Sequence, residues 1–270
     1  MRPIPLEGFD VFFPLMKVLD LDGFLELSYL PANNWENRVK TELNIYLLWP
    51  DGKSWNVQLF GKIRYGEVLR VTTADVDVKV LKSGVCLFYP TTEVLVGPLD
   101  SLPSKELWSS RIPEWRATTG FFNTDAQTSY QSEIFPLPPK ANLLTFHPFI
   151  QYGEVDNYLL VLNISRDPSI KESTIEFLNS VDLKKMGKAQ VKTNSATCIA
   201  LDRFGYLPTD LPLFISPSMA GIPFGLGVSH NKKMLSMEHT HPPASFVLFG
   251  NRIGMQSKVK KAWFQKAGII

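Results

Sequence analysis

The sequence predicts a predominantly β, all-β chain: two tandem antiparallel β-sandwich-like domains, in an arrangement that suggests internal duplication, followed by a short C-terminal helix. Three observations predict it. Apolar residues alternate with polar ones in several short runs, turn signals recur at the roughly 8 to 12 residue spacing of sandwiches, and the second half repeats the grammar of the first. With 270 residues and 44% hydrophobic content, the chain can bury two cores of ordinary domain size. The 20 Pro and 17 Gly point to a globular protein with many turns.

The clearest element is a hairpin from Val39 to Ile63. Val39, Thr41, Leu43, Ile45 and Leu47 occupy one face of a strand and Lys40, Glu42 and Asn44 the other. Pro50-Asp51-Gly52-Lys53 then reverses the chain into Trp55, Val57, Leu59 and Ile63, again on alternate positions. A second passage follows the same pattern: Tyr158, Leu160, Leu162 and Ile164, a turn at Asp167-Pro168-Ser169, a strand with Ile175 and Phe177, and another from Ala196 to Leu201.

Setting Tyr65 to Leu69 against Asn194 to Cys198 gives an offset of 129 residues between the halves. Further on, Ser132-Glu133 echoes Met237-Glu238 at an offset of 105, so the first half carries an insertion, visible as Gly97 to Trp115. These correspondences divide the chain into domains over 1–139 and 140–270. Helix is scarce, and the persuasive candidate runs from Asn251 to Lys266, where Met255, Val259, Ala262 and Trp263 fall at helical spacing.

The N-terminal residues carry Pro3, Pro5, Pro14, Glu7 and Asp10, which interrupt any secretory signal, and no run approaches the roughly 20 apolar residues that cross a bilayer. A soluble, cytoplasmic protein is the expectation. Cys86 and Cys198 each lie in an apolar strand-like run and read as free thiols rather than a disulfide framework. Asn163-Ile164-Ser165 fits the glycosylation pattern and reads as a chance match.

Few residues carry chemistry. There is no Gly-x-Ser-x-Gly, Walker loop, Gly-x-Gly-x-x-Gly or Cys-x-x-Cys, so most catalytic classes lose support. Glu133 and Glu238, at matching repeat positions, are a candidate carboxylate pair whose simpler reading is two solvent-facing acids. His239 and His241 point to one face of an extended strand about 7 Å apart, a spacing two ligands of a divalent transition metal can use. His230 sits across a turn at Asn231-Lys232-Lys233, roughly 15 Å from His239. A third ligand must come from elsewhere, with His147 or an acid as candidates.

Glu238-His239-Thr240-His241-Pro242, running on to Phe246-Val247-Leu248-Phe249-Gly250, resembles the first metal motif of the cupin family, in which two His precede a Glu and an apolar strand ending in Gly. The resemblance implies His239 and His241 as metal ligands. The motif's Glu has no counterpart, because Ser245 and its neighbours occupy that position.

Trp108 and Trp115 lie in the insertion, among Pro98, Pro103 and Pro113. Loops on a rigid sandwich are where binding residues concentrate, and a Trp ring offers a flat, low-entropy surface to a sugar ring or a partner protein. Packing against a sheet edge is the competing role. Charge is uneven: residues 232 to 270 carry a net +6 of the chain's +2, leaving −4 for the rest. A basic terminal helix can meet an anionic surface, a nucleic acid or a second copy of the chain, although its simplest role is a lysine-rich solvent face with Trp263 docked on the body. The sequence thus favours a non-enzymatic binding or assembly protein that takes a partner protein or a polymeric carbohydrate, with homo-oligomers in prospect and nucleic acid disfavoured. The alternative is a metal-dependent enzyme or metal-binding protein built on the His-x-His pair.

Overall fold

The computed structural model describes residues 11–29, 42–104, 115–138, 141–147, 153–239 and 252–270. The chain divides into two compact units. The first comprises 1–136 together with 164–170 and 194–196, and the second comprises 137–163, 171–193 and 197–270.

Eight strands build the first unit: β1 (Phe13–Met16), β2 (Asp22–Tyr29), β3 (Leu43–Pro50), β4 (Trp55–Ile63), β5 (Val68–Thr72), β6 (Val85–Thr91), β7 (Trp115–Phe122) and β8 (Gln127–Gln131). They form two antiparallel sheets, ordered β1-β6-β3-β4 and β5-β2-β7-β8. Phe13, Leu15, Ile45, Leu47, Cys86 and Phe88 of one sheet meet Leu25, Leu27, Val71 and Ala117 of the other in a single core. Two sheets closed over a shared apolar layer make a sandwich.

The second unit contains β9 (Leu143–Phe146), β10 (Val155–Asn163), β11 (Glu172–Asn179), β12 (Lys185–Lys192), β13 (Ser195–Ala200, whose first two residues group with the first unit), β14 (Pro212–Ser216), β15 (Ile222–Ser229) and β16 (Leu235–His239), then the helix α1 (Arg252–Lys266). Its sheets are ordered β9-β14-β11-β12 and β13-β10-β15-β16. Adding eight to every strand number of the first unit therefore reproduces the second. Between them lie Leu159, Val161, Ile175, Phe177, Ile199 and Phe214, with the Phe177 ring stacked on Phe204 at 4.1 Å.

The two units differ where the sequence places an insertion: β6 and β7 are joined by residues 92–114, whereas β14 and β15 need only 217–221. The β3–β4 hairpin turns as expected. Asp51 accepts hydrogen bonds from the backbone N–H of Lys53 (2.8 Å) and Ser54 (2.7 Å), and Gly52 takes the left-handed φ of +92° that Gly tolerates at little cost. The alternation in β4 conceals a change of face. The register slips at Ile45/Tyr46, leaving Phe60 as an extra residue. Ile63 consequently joins the core, while Leu59, level with Tyr46 on the other face, is 52% exposed. β11–β12 breaks register in the corresponding hairpin, between Phe177 and Leu178.

The helix forms where its periodicity places it, over Arg252–Lys266. Its docking residue is Phe264, 3% exposed, which joins Leu144, Leu178, Leu213 and Ile215 on the outer face of the β9-β14-β11-β12 sheet. Trp263 packs edge-on against Phe146 at 5.6 Å, and Ala262 faces solvent. No helix among the described residues is long and apolar enough to cross a membrane.

Cys86 is fully buried and Cys198 half-buried, and both are free thiols. Burial pushes the Cys86 thiol well above the ordinary range and Cys198 up to about 12. Because the thiolate is the reacting species, neither should react with an aromatic disulfide reagent in the native protein, whereas both should react once the chain is denatured. Absorbance from the released thiolate checks this.

Candidate functional site

The insertion is anchored at its start. Leu99 and Trp55 exchange both backbone hydrogen bonds at 2.8 Å, and the fully buried Trp55 donates its Nε1–H to the carbonyl of Arg166 at 2.9 Å. The Arg166 guanidinium in turn donates to the Pro103 carbonyl at 2.7 Å, while its carbonyl also accepts from the N–H of Leu102. Leu102 is 2% exposed. Asn194, itself buried, fixes the Arg166 segment by accepting from the N–H of Ser165 (2.7 Å) and donating to the Asp167 carbonyl (2.7 Å). Buried polar groups satisfied in this way hold a loop base rigidly.

Of the two tryptophans in the insertion, Trp108 lies outside the described residues. Trp115 is the first residue of β7, where its backbone lies opposite Tyr29.

The histidines are dispersed. His239 ends β16 opposite Phe224, with the two rings edge to face at 5.7 Å, and His241 lies outside the described residues. His230 stands at the far end of the hairpin, where its Nε2 is 3.1 Å from the exposed carboxylate of Asp156. His147 packs over Gly225, whose missing Cβ leaves room for the imidazole ring, and meets Phe214 at 5.9 Å. Gly225 and Phe224 are consecutive in β15 and so face opposite sides of the sheet. His147 is therefore on the inner side and His239 on the other, which removes His147 as a ligand partner of His239. Among the described residues, no three His, Cys, Asp or Glu side chains come together in a way that could hold a metal ion.

His147 is 1% exposed, and neither ring nitrogen makes a well-aligned hydrogen bond. Burial pushes its pKa down to about 4; a weak bond to the backbone of Tyr158 opposes that shift without cancelling it. The two carboxylates of interest do not occupy matching strand positions. Glu238 lies in β16 opposite Gly225, whereas Glu133 lies beyond the end of β8.

No family model, no curated protein and no solved structure matches this chain. Its chemistry must be read from its own residues.

Two arrangements escaped sequence reasoning. One is the Trp55–Arg166–Pro103 clasp, whose partners are too far apart in the chain for any local pattern. The other is a cluster on the outer face of the β5-β2-β7-β8 sheet, where the Arg70 guanidinium lies 4.6 Å over the Phe24 ring and reaches Glu26 at 3.2 Å and Gln127 at 3.1 Å. The alternation of Phe24, Glu26 and Ser28 along β2 was the available signal. Asn163 also resolves the glycosylation motif: it is 4% exposed and its amide donates to the Ala220 carbonyl, so the folded chain presents no acceptor there.

Proposed function

We propose that this chain is a non-enzymatic binding or assembly protein, made of two copies of one ancestral sandwich unit, whose first-unit insertion presents Trp108 and Trp115 to a polymeric carbohydrate or a partner protein. The observation that carries this reading is the clasp at the base of the insertion, which only one of two topologically matched units possesses. A loop held at its root by Leu99, Leu102 and Pro103 loses less conformational entropy on binding than a free one of the same length. Aromatic side chains on such a loop supply contact area with few rotors to freeze.

Affinity electrophoresis through gels containing soluble polysaccharides tests the carbohydrate arm. Retardation by one of them is expected, and Trp108→Ala combined with Trp115→Ala should abolish it while changing stability by less than about 1 kcal/mol. A loss of several kcal/mol would assign the rings to packing and count against the proposal.

A further inference from the structure

Charge separates between the two units. By sequence, the first holds 14 Lys and Arg against 18 Asp and Glu, a net −4, and the second holds 14 against 8, a net +6. Much of the positive side is displayed on α1. With Phe264 and Trp263 docked on the sheet and the Lys260 ammonium donating to the Asn142 carbonyl at 3.0 Å, Lys258 and Lys261 remain on the outward face. Both are exposed, and neither pairs with a carboxylate among the described residues. Leu183, in the β11–β12 turn, shares the apolar cluster of Ala267 and Ile269, and the next residue, Lys184, is exposed. Asp182, in the same β11–β12 turn, accepts from the Lys184 N–H.

The complement is available in the chain itself. At one end of the first unit, Asp20 follows β1, Asp22 opens β2 opposite Phe122, Asp75 closes the turn after β5 and Asp125 sits in the β7–β8 turn, all exposed. Opposing them are Lys17, Lys79 and Lys82; Lys79 already pairs with Asp77 at 3.2 Å, and Lys82 acts on the same carboxylate.

We infer that a second copy of this chain docks its acidic first unit on the Lys258/Lys261 face of α1, giving a head-to-tail association. Such contacts join unlike surfaces, so each copy gives one half of the contact and receives the other. The inference uses a surface separate from the tryptophan loop and stands whether or not that loop binds a ligand.

Sedimentation of the full chain at varied ionic strength tests it. Species heavier than the 30.5 kDa monomer are expected at low salt and should revert to monomer at about 0.5 M, where screening shortens the reach of charge to a few ångströms. Lys258→Glu with Lys261→Glu should weaken association about tenfold or more, and adding Asp20→Lys with Asp125→Lys in the mixed partner should restore it. Circular dichroism confirms that the variants fold, and Lys258→Ser with Lys261→Ser gives a milder version of the same loss. A monomer at low salt overturns the inference, as does association indifferent to the lysines or unrescued by the reversed acids. A monomer that binds heparin through these lysines also overturns it, assigning the face to a polyanion.

Discussion

Lowering the pH from about 6.5 to about 4 is expected to remove about 3 kcal/mol of stability through His147 alone. The sign follows from where the proton binds. In the unfolded chain His147 takes up a proton near its ordinary value of 6.5, whereas in the folded chain burial against Phe214 and Gly225 delays uptake until about 4. Between those values the unfolded state binds more protons, so acid favours it; below about 4 the loss is complete. Glu42, Asp51, Asp75 and Asp77 are held below their ordinary values by hydrogen bonds, from Lys62 and Arg64 for Glu42 and from nearby backbone N–H groups for the aspartates, so their losses begin only below about 4.5 and are separable. Urea melts at pH 7.0 and 4.5 should differ by most of this amount in the wild type and by much less in His147→Phe. A His147→Phe variant with the same pH dependence as wild type would refute the assignment.

Removing the ring of Phe264 is expected to cost about 3–5 kcal/mol, the usual range for a large aromatic deleted from a core. The side chain is 3% exposed among Leu144, Leu178, Leu213 and Ile215. The variant should also lose helix. Helices this short are marginal without tertiary packing, so α1 should fray once its main contact is gone. Phe264→Ala should therefore lower both the melting temperature and the signal at 222 nm. Ala262→Ser on the exposed side should change neither. A Phe264→Ala protein with native helix and native stability would show that Trp263 and Ile269 suffice to dock the segment.

What could be read in advance follows the range of the forces involved. Strands such as Leu43–Pro50 and the turn at Asp51-Gly52 were legible, because burial of one face imprints period two and reversal selects particular residues within a few positions. The correspondence between the halves was legible through the repeated grammar, including the position of the insertion, whereas the pairing order within each sheet was not. The face change in β4 was not, since Leu59, Phe60 and Gly61 interrupt the alternation without saying which residue is extra, and only pairing with Ile45 and Tyr46 identifies Phe60. Nor was Phe264 distinguished from its neighbours on α1, because the helical wheel does not say which side meets the sheet. For the candidate site, Trp108 and His241 fall outside the described residues, while Trp55 and Arg166 were invisible as a pair because 111 positions separate them.

That distance bears on any attempt to dissect the molecule. A fragment ending near Pro136 would hold all eight strands of the first sandwich yet omit Arg166 and Asn194. The Trp55 indole would then have lost its acceptor in a fully buried position, a deficit of about 1–3 kcal/mol, and Leu102 and Pro103 would have lost their anchor. Expression of the halves as separate modules, or swapping one for a homologous unit, would thus have to carry 164–170 and 194–196 along with residues to which they are not contiguous.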